Sequence, residues 1–188
     1  MLMNQFVAFD TQLFLLINHL PHSEIGNTVA MFLSGIGQSG MIWFVVAICL
    51  FFREEKRDHW FFLPVFLSAG FGLALSEFVA KSLVLRMRPA ADIGALVVSA
   101  AGNYSFPSTH ATLAFALAYV LSKEEPKLSV LFYLLAISIG VSRIYLGVHY
   151  PGDVLGGAVL GVGIGYFVVR LSRRVREKNR VRSGKTSQ

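Results

Sequence analysis

Charge, cysteine and early basic residues are scarce in this 188-residue chain. Only 15% of its residues are charged, against about 25% in an ordinary soluble domain, while 54% are apolar. The apolar residues fall in long runs, which points to a bilayer as the solvent rather than an outsized soluble core. Cys49 is the one cysteine and lies in an apolar run, which excludes a disulfide framework and a cysteine-ligated metal. The first Lys or Arg is Arg53, so the N-terminus lacks the positive region of a secretory signal, and a cleaved leader is not expected. There is no His-x-x-x-His pair and no cluster of carboxylates, so neither a metal nor a cofactor is expected.

The basic residues that are present cluster. Arg170, Arg173, Arg174, Arg176, Lys178, Arg180, Arg182 and Lys185 close the chain, with Glu177 the one acid among them. That stretch carries more than the whole net charge of +6. A basic patch can signal nucleic acid. This one directly follows an apolar span and reads as a cytoplasmic anchor, with no nucleic-acid partner.

The apolar runs predict an all-α fold, a polytopic membrane helix bundle of about five transmembrane helices. They are Gly40 to Phe52, Trp60 to Leu85, His110 to Leu121, Leu128 to Tyr145 and Val154 to Leu171. Several are shorter than the roughly 20 residues of a perpendicular span, so their ends extend into loops or meet a thinned interface. Residues 1–36 hold two weaker apolar stretches, expected to lie at the interface or on the bundle rim; a sixth span made from the first is the alternative. The expected division is therefore residues 1–36 as interfacial helices, 37–173 as a transmembrane catalytic domain and 174–188 as a basic cytoplasmic tail. Arg53, Lys56 and Arg57, then Lys123 and Lys127, then the tail fall on one side of a five-span chain. The positive-inside tendency makes that side cytoplasmic, with the 86–109 loop and the 146–153 turn outside. In the last span Gly157, Gly161 and Gly165 recur every fourth residue, a stripe suited to close helix packing.

Polar residues gather at the expected outer boundary. Lys81 and Arg88, seven apart, would project from one helix face that Pro89 ends. Snorkelling to lipid headgroups explains such a pair when it stands alone. Glu77, one turn before Lys81, suits a structural ion pair. Pro107-Ser108-Thr109-His110 precedes an apolar run and reads as a helix start. Ser108 would cap it, and the free N–H groups would suit a phosphate. His149 and Asp153 are four apart across the turn at Pro151-Gly152. The carboxylate can orient the imidazole, or the two can form a buried structural pair. Together the three clusters supply cations, two histidines, one orienting carboxylate and a helix N-terminus, a set suited to holding a phosphate and attacking its phosphorus.

Lys81-x6-Arg88-Pro89, Pro107-Ser108-Thr109-His110 and Ser142-Arg143-x5-His149-x3-Asp153 resemble the three signature motifs of the type 2 phosphatidic acid phosphatases (PAP2). That superfamily includes vanadium haloperoxidases. The resemblance covers about residues 40 to 172 and implies a PAP2/haloperoxidase-like core. It implies that His149 is the nucleophile and forms a phosphohistidine, Asp153 orients it, and His110 protonates the leaving oxygen. Lys81, Arg88, Ser108 and Arg143, with backbone around Thr109, would hold the phosphoryl oxygens. No metal is required in this family. One position departs: the usual glycine before His110 is Thr109, which still offers a backbone N–H.

The implied function is an integral-membrane lipid phosphatase of the bacterial cytoplasmic membrane with an outward-facing site. The leading substrate is undecaprenyl diphosphate. Phosphatidylglycerol phosphate, phosphatidic acid and lipid A 1-phosphate are the alternatives. The expected partners are the lipid phosphate and membrane lipids, with no protein partner. A non-catalytic lipid-binding protein of the same fold is the alternative of another class. The presence of His110, His149 and Asp153 weighs against it.

Overall fold

The computed structural model describes residues 2–53, 59–97 and 104–182. Lys56, Arg57 and Lys185, which carry part of the expected charge asymmetry, lie outside the described residues. Helix α1 (Leu2–Asn18) is followed by α2 (Glu24–Gly37), a 3-10 turn and α3 (Met41–Arg53). Helix α4 (Phe62–Leu73) runs through a π-helical stretch, Ala74–Ala80, into the single turn α5 (Lys81–Val84). An irregular segment then leads to α6 (Thr109–Glu124), α7 (Ser129–Tyr145) and α8 (Pro151–Arg182). Among the described residues the fold is all-α, with one isolated bridge pairing Met87 with Tyr104.

Local chemistry accounts for the helix ends near the site. The Ser108 hydroxyl caps α6, and Pro151 opens α8, where its missing N–H costs nothing. The helix bearing Lys81 ends earlier than the sequence predicts. It stops at Val84, and Leu85 turns in the left-handed region with φ 52°. Lys81 and Arg88 therefore do not share a helix face. Pro89 already disfavours the helical conformation at Arg88. The released backbone finds other partners: Ser105 N–H donates to Arg86 O at 2.8 Å, and its hydroxyl bonds Arg86 O and Met87 O.

Helix α6 is the axis of the bundle. Eleven of its residues are buried, from Thr109 to Ser122, as expected of a helix covered on every side. Its neighbours α4, α7 and α8 share one apolar core that includes Leu113, Leu117, Leu121, Val65, Phe132 and Val169. The glycine stripe of α8 lies against α6. A Cβ at Gly157 would come within 2.6 Å of Ser108 O, and one at Gly161 would run into Thr112 O. The close approach expected of these glycines is thus realised.

Helices Phe62–Val84, Pro126–Tyr145 and Pro151–Asn179 are long and apolar enough to cross a membrane. α2 and α3 qualify as a fourth span only if counted together across a 67° bend. That differs from the five expected spans, because α6 at 16 residues is short. It is surrounded by other helices rather than lipid, so bilayer thickness does not dictate its length. Val130, Leu134, Ile137 and Val141 on α7, and Leu155, Val159 and Phe167 on α8, form exposed apolar rows that suit lipid contact. Helices α1 and α2 pack on this bundle. The buried Asn18 donates to Leu96 O and Tyr145 O, both at 2.9 Å, and accepts from Leu96 N–H.

Candidate active site

The end of α5, the start of α6, the end of α7 and the start of α8 meet at one end of the bundle. A backbone bond joins two of them, with Ser108 N–H donating to Asp153 O at 3.0 Å. His149 lies in the turn just before α8 and is 2% exposed. Arg88 Nη1 donates to Val148 O at 2.7 Å and approaches His149 Nε2 at 3.0 Å. A guanidinium has no acceptor, so Nε2 must be the lone-pair nitrogen and the ring proton must sit on Nδ1. Nδ1 lies 3.6 Å from Asp153 Oδ2, longer than a hydrogen bond. The site therefore presents a neutral imidazole with its basic nitrogen turned toward a cation. Burial is the largest cause pushing the His149 pKa down to about 4; Arg88 and Arg143 add to it and Asp153 opposes. Burial also lowers the pKa of Arg88, opposed by Asp153 and Glu77.

The other cations are held near by. Arg143, buried at the end of α7, donates from Nη1 to the Ser34 hydroxyl of α2, while its Nε has no partner among the described residues. It lies within electrostatic range of Arg88 and of His110. His110 also senses His149 and Lys81, and its ring bonds the backbone of Ser34. Lys81 Nζ is 2.6 Å from Glu77 Oε1, the expected ion pair. Thr109 Oγ1 donates to the same carboxylate oxygen at 2.5 Å. The eight residues singled out by sequence are thus brought together: Lys81, Arg88, Ser108, Thr109, His110, Arg143, His149 and Asp153. Thr109 differs in detail, since its side chain engages Glu77.

The sequence matches the PAP2 superfamily over residues 63–177. The chain belongs to that superfamily. Among curated relatives, it is 31% identical over 171 residues to an undecaprenyl-diphosphatase of Sulfolobus acidocaldarius, covering 89% of this chain and 80% of the relative. It is 31% identical over 166 residues to a lipid A 4'-phosphatase of Bacteroides thetaiotaomicron, covering 81% and 72% respectively. Among solved structures, the transmembrane PAP2 type phosphatidylglycerolphosphate phosphatase of Bacillus subtilis superposes with a TM-score of 0.73 at 26% identity, covering 92% of this chain and 88% of the other. This PAP2 protein is a membrane-embedded lipid phosphatase.

Three further groups stand at its site that the sequence motifs do not include. Asp153, fully buried, places Oδ1 2.9 Å from Arg86 Nη1. Arg86 Nη2 reaches Asp10 Oδ2 of α1 at 2.6 Å, and its guanidinium lies 4.0 Å over the Tyr150 ring. Ser34 meets Arg143. Arg86 was hidden by its neighbour Arg88, and Ser34 carries no signal at all. Asp10 did carry one, as a carboxylate within an apolar helix.

Proposed function

We propose that this protein hydrolyses the terminal phosphate of undecaprenyl diphosphate through a phosphohistidine at His149. The observation that carries the mechanism is the Arg88–Nε2 contact at 3.0 Å, which leaves Nε2 the basic atom beside a set of cations. In the first step Nε2 attacks the terminal phosphorus and its bond to the bridging oxygen breaks, with undecaprenyl phosphate as the leaving group. His110, which takes up a proton as the phosphate anion enters beside it, gives that proton to the departing oxygen. Lys81, Arg88, Arg143, Ser108 and backbone N–H around Thr109 hold the phosphoryl oxygens as charge builds on them. The proton stays on Nδ1, and the Asp153 carboxylate steadies the positive charge that spreads over the ring. Water then attacks the phosphohistidine and releases inorganic phosphate, with His110 accepting the proton. Cations do the neutralising, so no metal enters.

The substrate assignment is supported by the undecaprenyl-diphosphatase relative. Phosphatidylglycerol phosphate, phosphatidic acid and a lipid A phosphate are the competing substrates, and the lipid A 4'-phosphatase and the Bacillus subtilis neighbour favour two of these classes. The enzyme would sit in the bacterial cytoplasmic membrane, with the site outward and the end of α8 inward. The position of Lys123, Lys127 and the basic end of α8 away from the site supports that orientation. Residues 1–36 would line the outer rim and 174–188 would extend into the cytoplasm. The protein purified in detergent should release phosphate from undecaprenyl diphosphate faster than from the other three lipids, with EDTA present throughout. His149→Ala should abolish release. Undiminished release by that variant would overturn the mechanism, and another lipid cleaved fastest would overturn the substrate.

A further inference from the structure

Asp153 is held from both sides. Its Oδ2 accepts from Tyr150 N–H at 2.8 Å and faces His149 Nδ1. Its Oδ1 is taken by Arg86. Arg86 in turn spans two carboxylates with the two arms of one guanidinium, Nη1 to Asp153 and Nη2 to Asp10. Asp10 closes the ring of contacts, because its second oxygen accepts Gly152 N–H at 2.7 Å, in the first turn of α8. One carboxylate of α1 therefore binds both the helix start that carries Asp153 and the cation that aims Asp153. Both carboxylates are almost wholly buried. A charged group is costly there unless its partners are fixed, and a lysine could not span both carboxylates as this planar fork does. Asp10 lies outside the stretch that matches the family.

We propose that Arg86 and Asp10 are positioning residues for the reaction, holding the Asp153 carboxylate on His149 and setting how strongly it stabilises the imidazolium. This rests on the reading of His149 as the nucleophile. The charged and titratable groups around the pair are Arg86 and Arg88 after α5, Arg143 on α7, His110 on α6, Asp10 on α1 and Tyr150 in the turn. Arg86 withdraws negative charge from Asp153, and Asp10 partly cancels Arg86. Removing Arg86 makes Asp153 a stronger partner for a protonated ring. Removing the Asp10 charge leaves Arg86 uncompensated and does the opposite.

The test uses full-length protein in detergent, with undecaprenyl diphosphate as substrate, or phosphatidylglycerol phosphate if that is cleaved faster. Arg86→Ala should lower kcat roughly tenfold to hundredfold with a smaller change in KM, because the carboxylate is no longer aimed. It should also move the acid limb of kcat/KM to higher pH. Arg86→Lys keeps the charge but loses the fork, so kcat should fall while the limb stays. Asp10→Asn keeps an acceptor for Gly152 N–H and should move the limb to lower pH. Opposite shifts are the signature, since loss of packing alone moves neither limb in a charge-dependent direction. If Arg86→Ala does not fold, Asp10→Asn and Arg86→Lys carry the test. Parental kcat and limb in the folded variants, while His149→Ala is inactive, would overturn this proposal and leave the nucleophile standing. An active His149→Ala would overturn both.

Discussion

In the proposed mechanism His149 serves a phosphate only while it is uncharged, and its surroundings keep it so. Burial, Arg88 and Arg143 together outweigh Asp153, and the pKa lies near 4 rather than 6.5. A neutral nucleophile is lost as pH falls through the pKa. Once the substrate's own ionisation is allowed for, the acid limb of kcat/KM should lie near pH 4. The limb of kcat should lie higher, because a bound phosphate anion favours the imidazolium. A kcat/KM limb near 6.5 would mean that the free site is wetter than the buried ring indicates. Thr109 belongs at the same scale. Where the family template has glycine, this chain has a hydroxyl bonded to Glu77, which also holds Lys81. Its side chain thus joins a cation-holding pair instead of leaving the space empty.

Helix α8 carries Asp153 to the site, and its seat on α6 is set by glycine. Gly161 faces the α6 backbone so closely that a Cβ would collide with Thr112 O and meet Ala116 N at 2.9 Å. Backbone cannot swing aside as a flexible side chain can. Gly161→Ala should therefore cost about 1–3 kcal/mol, the usual range for overpacking. Gly163, two residues on, has nothing within 4 Å of its would-be Cβ. Gly163→Ala should leave stability unchanged or slightly raised, because alanine suits a helix better than glycine. Thermal unfolding of the two purified variants in detergent measures the contrast, and equal melting temperatures would contradict the packing described.

For the whole molecule, the central consequence of the fold is polarity between its two ends. The described connections place the candidate site at one end and Arg53, Lys123, Lys127 and the end of α8 at the other. Two single-cysteine variants in a Cys49→Ser background test the orientation this implies. An impermeant maleimide added to intact cells should label Asp92→Cys, on the exposed 3-10 turn Ala91–Ile93, and should not label Lys178→Cys. The reverse pattern would place the site inside.

Composition and short spacings made the solvent, the helical class and the eight candidate residues that the fold brings together legible in the sequence. Long apolar runs leave a bilayer as the solvent, and His149 and Asp153 stand four residues apart across the Pro151-Gly152 helix start. The glycine stripe was legible for the same reason. Other features depend on groups distant in sequence and were set by the packed fold. The helix end at Val84, in place of one near Arg88, goes with the bond from Ser105 N–H to Arg86 O and with Arg88 reaching His149. The tautomer of His149 follows from that same Arg88 contact. The Asp10–Arg86–Asp153 bridge joins α1 to α8 across nearly the whole chain, and no local pattern marks such a pairing. Burial decided the rest, because α6 needs no bilayer length once protein surrounds it.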